Sequence, residues 1–148
     1  MTGAKPAGHR FQVSIDCSDT AVMTEFWCLA LHYVEQPPPE GFDTWDAFAD
    51  TVNMPADERS KFGSVVDPAG VGPRLLFHRV PEGKVVKNRL HFDINVGGAL
   101  RGGERQQVVR EHAATLVAAG ATLVEERQDE FSWWMVLIDP EGNEFCLQ

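Results

Sequence analysis

The sequence writes one phrase twice: an apolar run, Asp-Pro-x-Gly, then a second apolar run. The first copy is "SVVDPAGVGPRLLF" at residues 64–77, and the second is "VLIDPEGNEFCL" at residues 136–147. In each, Asp at the first turn position, Pro presetting φ at the second and Gly at the fourth fit a type I turn between strands. A lone Asp-Pro-x-Gly is a common turn, so the flanking segments decide whether the repeat is real. Upstream of the first copy, "FQVSIDC" (residues 11–17) alternates Phe11, Val13, Ile15 and Cys17 with polar residues, the period of a strand. Upstream of the second, "RLHFDINV" (residues 89–96) also reads as a strand.

A helix follows each leading strand. After the first, Ser18 or Asp19 can cap a segment in which Val22, Phe26, Leu29, Ala30 and Tyr33 recur at helical spacing. After the second, past the flexible "GGALRGG", Val109, Ala113, Leu116 and Val117 mark a helix with Gly120 placed to end it. The remaining strands fall around residues 33–36, on either side of the first turn, over "ATLVEERQDE", over "FSWWMVLIDP" and over "NEFCLQ". "PPP" at 37–39 rules out regular structure there. Beyond it, Phe42, Trp45, Phe48, Ala49 and Val52 fall on one face of a short amphipathic helix. The order strand, helix, three strands thus occurs twice, and a duplication of this kind governs the fold more than any local propensity. The expectation is an α+β fold of two βαβββ modules, about 10–82 and about 88–148, in one domain over 10–148 with a disordered lead-in at 1–9.

Bulk properties narrow the function classes. A net charge of −9 is the wrong sign for a nucleic-acid or anionic-membrane footprint. Three cysteines without a CxxC read as reduced thiols, and no apolar leader or membrane span is visible, which predicts a cytoplasmic protein.

With the duplicated pattern established, the chain resembles the vicinal oxygen chelate superfamily of glyoxalase I, bleomycin- and fosfomycin-resistance proteins and extradiol dioxygenases. More narrowly it is similar to glyoxalase-like single-domain proteins of actinobacterial type. The matching phrases are "SIDCSDTAVMTEFW", "VVDPAGVGPRLLFHRVPEGKVVKNRLHFDI" and "LIDPEGNEFCL". The resemblance implies modules that curl into a half-open β-barrel around a small-molecule pocket, and by default a homodimer. It does not imply one reaction.

The resemblance also implies metal ligands at three strand positions. The first, seven residues before Asp19, is Gln12; the second is His91; the third, seven residues after Asp139, is Cys146 where the family pattern has Glu. Glu144 lies on the same face as Cys146 but is displaced by ~6.6 Å at ~3.3 Å per residue, further than any metal–oxygen bond. Either no cofactor or a single divalent metal (Zn, Ni, Mn or Fe) is therefore expected, on Gln12, His91, Glu144 and Cys146. Cys146 can equally be a small buried hydrophobe. His91 is either a ligand or acid/base catalyst, or a strand histidine bonded to Asp93 or to backbone. Trp133 and Trp134 must face opposite sides of their strand, and Trp45, Phe77 and Trp134 are the candidate ligand-binding residues. The Trp45/Phe48 segment either caps a cavity or covers a sheet edge.

Three functions follow as expectations. The first is a metal-free protein that sequesters an apolar or aromatic small molecule between the modules. The second is a metal-dependent lyase, isomerase or dioxygenase. The third is a metal-free enzyme using His91.

Overall fold

The computed structural model describes residues 8–148; the lead-in expected at 1–9 falls mostly outside them. Module one runs β1 (Gln12–Cys17), α1 (Thr20–Leu31), β2 (Val34–Glu35), α2 (Trp45–Thr51), α3 (Ala56–Arg59), β3 (Phe62–Val66) and β4 (Arg74–Arg79). Module two runs β5 (Asp93–Ile94), α4 (Gly102–Ala118), β6 (Thr122–Gln128), β7 (Trp133–Ile138) and β8 (Glu144–Leu147). The sheets have orders β1-β4-β3-β2 and β5-β8-β7-β6, each with its first strand parallel to its last. One arrangement therefore occurs twice, as the repeated phrase implies.

Local chemistry sets the element ends. Asp19 caps α1 by accepting from the Ala21 and Val22 amides, both at 3.0 Å. The two repeated turns close in the same way: Gly70 N–H donates to Asp67 O at 2.9 Å, and Gly142 N–H to Asp139 O at 3.0 Å. Both glycines sit at positive φ, +69° and +90°, which a side chain would strain.

The turns differ in their surroundings. Asp139 is buried and accepts the indole N–H of Trp27 at 3.3 Å, while Glu141 accepts from the Ser18 and Asp19 amides. The second turn thereby docks on the start of α1 in the first module. One hydrophobic core spans both modules, with Phe26, Trp27, Phe92 and Phe145 meeting edge to face.

Two expectations need correction. Of the strand expected over residues 89–96, only Asp93–Ile94 forms a strand. Backbone bonds between residues 92–96 and 146–148 run from Cys146 N–H to Phe92 O at 2.8 Å, from Gln148 N–H to Ile94 O at 2.9 Å and from Val96 N–H to Gln148 O at 2.8 Å. Upstream, the Asn88 amide bonds the Glu144 side chain instead of a strand, and Leu90 is exposed. The amphipathic helix after "PPP" is α2 followed by the single turn α3, broken where Asn53 takes φ 53° ahead of Pro55. No helix among the described residues is long and apolar enough to cross a membrane.

Candidate functional site

Strand register decides which side chains leave the core. In module one the pairs Gln12–Arg74, Ser14–Leu76 and Asp16–His78 share the face turned away from α1. The pair Ile15–Phe77 takes the other face, so Phe77 is fully buried in the core. Phe77, expected among the ligand-binding residues, is thus placed in the core: the period of two is legible in "RLLFHR", but its phase is fixed by the partner strand. In module two the pairs Asp93–Cys146, Val136–Cys146, Ile138–Glu144 and Arg127–Trp134 place these residues on the open face. Trp133 is buried on the opposite face with Arg105 and Arg110 over its ring. The two tryptophans therefore divide as their adjacency requires.

Three of the open-face residues of module two converge. His91 Nδ1 lies 2.8 Å from Asp93 Oδ1, and ligand atoms of His91, Asp93 and Cys146 all fall within 4.8 Å of one another. They line a cavity of about 340 Å³ that Trp134, Arg127 and Lys87 also reach. Burial pushes the Cys146 thiol up, and the Asp93 carboxylate beside it adds to the shift. Cys146 is thus held as a thiol rather than as the thiolate a nucleophile requires.

The other two candidate metal ligands are engaged elsewhere. Glu144 accepts from the Asn88 amide at 3.0 Å and pairs with Lys84 Nζ at 3.1 Å. The Asn88 bond, aided by Lys84, holds its carboxyl down at about 2. Gln12 Oε1 accepts from Arg74 Nη1 at 2.7 Å. A cation on that oxygen at a bond length of about 2.1 Å would face a guanidinium almost in contact. The Gln12–His91–146 set of the family pattern therefore does not fit a metal. The compact His91–Asp93–Cys146 group is a different donor set. It offers imidazole, carboxylate and sulfur, a combination suited to zinc once the thiol ionises.

A second cavity, of about 350 Å³, opens on module one beneath α2 and α3. Trp45, Phe48 and Met54 from the helical segment face Phe62, Leu76 and Arg74 from the sheet. The cover is fastened: Trp45 Nε1–H donates to Gln36 O at 2.8 Å, and Arg59 bridges Asp50 at 2.6 Å and Asp46 at 3.4 Å. Trp45 thus caps a cavity rather than a bare sheet edge. A smaller space of about 190 Å³ lies between the modules, bounded by Val13, Ile15, Trp27, Leu90 and Phe92.

The candidates are consequently split. Trp45 lines the module-one cavity, Trp134 the module-two cavity, and Phe77 the core. Asp93 and Arg74 went unrecognised as site residues. The "HFD" alternation marks Asp93 as a same-face neighbour of His91, but its approach to Cys146 needs the β5–β8 register. Arg74 lies in an apolar strand with no local signal that it faces a pocket.

A family profile described as a glyoxalase-like domain matches residues 12–148. Comparison with the curated proteins finds no match. Among solved structures, a glyoxalase/bleomycin resistance protein/dioxygenase family enzyme from Burkholderia phytofirmans is similar at TM-score 0.58 and 19% identity. It covers 92% of this chain and 94% of its own. A fosfomycin resistance protein from Mesorhizobium loti gives TM-score 0.64 and 11% identity over 97% of this chain and 92% of its own. A mutant of the Listeria monocytogenes fosfomycin resistance protein, complexed with Mn(II) and 1S,2S-dihydroxypropylphosphonic acid, gives 0.63 and 12% over 97% and 90%. At these identities the likeness is one of fold.

Proposed function

The chain belongs to the glyoxalase-like domain family, and on that footing we propose that it is a small-molecule-binding protein. It takes an apolar or aromatic ligand without a metal at the positions where the family pattern holds one. The observation that carries this reading is the cavity of about 350 Å³ with Trp45, Phe48 and Met54 above it and Phe62 and Leu76 below. Such a volume and such walls suit a one- or two-ring molecule. The space between the modules, at about 190 Å³, is the lesser candidate. Engagement of Gln12 by Arg74 and of Glu144 by Lys84 supports the metal-free part.

Calorimetric titration with naphthalene-based probes tests this reading. Binding that persists in EDTA and is weakened in Phe48→Ala supports it. Binding that requires added metal would contradict it.

A second reading is favoured by the His91–Asp93–Cys146 group. Three protein ligands and an open position would make a lyase or isomerase site if zinc were bound to polarise substrate oxygens, and a dioxygenase site only if a redox-active ion such as iron stood in its place. The homodimer belongs to the same proposal, supported by strands β1 and β5. Each pairs on one side only among the described residues, leaving an edge for a second copy.

A further inference from the structure

Arg74 is held in place by neutral groups. Its Nε donates to Gln36 Oε1 and its Nη1 to Gln12 Oε1, so two amide oxygens fix the plane of the guanidinium. Gln36 is itself pinned: its Oε1 accepts from Ser64 Oγ at 2.9 Å, and its backbone N–H donates to Ser64 O at 3.0 Å. Among the described residues Arg74 forms no salt bridge, and its Nη2 has no protein acceptor. This is a notable arrangement in a chain whose net charge is −9.

Three of the four nearby carboxylates are engaged with other partners. Asp46 pairs with Arg59 and Glu58 with Lys61. Asp67, across the shallow mouth behind Arg74, accepts from the Ala69, Val71 and Gly72 amides of its own turn. Glu35 lines the same cavity, and among the described residues its carboxylate has no hydrogen-bond or salt-bridge partner; its backbone pairs with Val65 and its charge acts on Cys28 of α1. An arginine oriented by amides keeps its full charge and its unused donors, and it is already desolvated in part by apolar walls. Such a group is preorganised for a planar anion.

We propose that the module-one cavity binds an aromatic or apolar ligand bearing one carboxylate-like anionic group, with Arg74 as its anchor. Trp45, Phe48 and Phe62 cover the ring while the guanidinium takes the anion at the sheet end. This inference rests on the small-molecule-binding reading of the same cavity and specifies the charge of what binds there.

The test is calorimetric titration of the full chain with 2-naphthoate and with its neutral, near-isosteric amide, 2-naphthamide. The carboxylate should bind the unaltered protein about tenfold or more tighter than the amide, the range expected for a hydrogen bond to a charged group. Arg74→Gln should abolish the preference for naphthoate over the amide, and Arg74→Lys should recover part of it. Comparison of the two probes on the unaltered protein does not depend on any variant folding. Equal affinities there overturn the anion anchor and leave the cavity reading standing. No binding of either probe at millimolar concentration overturns the cavity reading itself.

Discussion

Arg74 Nη1 donates to Gln12 Oε1 at 2.7 Å, across the parallel β1–β4 register that pairs the two residues. This contact turns a position that the family pattern assigns to a metal towards a permanent cation. Arg74 also lines the cavity under α2. One residue thus weakens the metal reading and shapes the binding reading.

Glu144 gives a pH prediction. Its carboxyl lies at about 2 in the fold against an ordinary 4.5, because the Asn88 amide and Lys84 favour the ionised form. Its contribution is whole above pH about 4.5 and is lost as pH falls through about 2. Denaturant midpoints measured across that window should fall for the unaltered protein, and Glu144→Gln should flatten part of the fall. Identical profiles would show that the Asn88–Glu144–Lys84 contact contributes nothing.

Cys146 gives a reactivity prediction. Burial and Asp93 hold its thiol up, so at pH 8 it should alkylate with iodoacetamide more slowly than a free cysteine. Asp93→Asn removes the neighbouring charge and should speed the reaction at that site, as read by peptide mass spectrometry. Fast alkylation in the unaltered protein would point instead to an activated nucleophile.

Gly63 gives a packing prediction. A Cβ there would stand 2.5 Å from Thr24 Oγ1 and 3.2 Å from Thr20 O, because α1 lies directly on β3. Thr24 already bonds Thr20 O at 2.7 Å, so rotation to make room gives up that bond. Gly63→Ala should cost about 1–3 kcal/mol by chemical denaturation. A neutral effect would mean that α1 can lift from the sheet.

The fold was legible because its evidence is local and repeated. The turns at Asp67 and Asp139, the alternation before each and the helical spacing after each all carry their own signals, and the matching sheet orders follow from them. The site was legible only in pieces. The His91–Asp93 bond could be foreseen as a same-face contact at two-residue spacing. Cys146 joins that pair only through the β5–β8 register, which no local pattern encodes. The burial of Phe77 in the core depends on register in the same way. The cavity over Leu76 depends on a helical segment, Trp45–Thr51 and Ala56–Arg59, that interrupts the repeat and has no counterpart in module two. Its seat on the sheet is set by tertiary contacts such as Trp45 to Gln36.

Metal content tests the central claim most directly. Untagged protein is equilibrated with Mn²⁺, Ni²⁺, Zn²⁺ or Fe²⁺, passed through a desalting column and analysed by elemental spectrometry. A metal-free binding protein retains well under one equivalent of each ion. One full equivalent of any of them, lost in His91→Ala, would contradict the account and favour the His91–Asp93–Cys146 metal site.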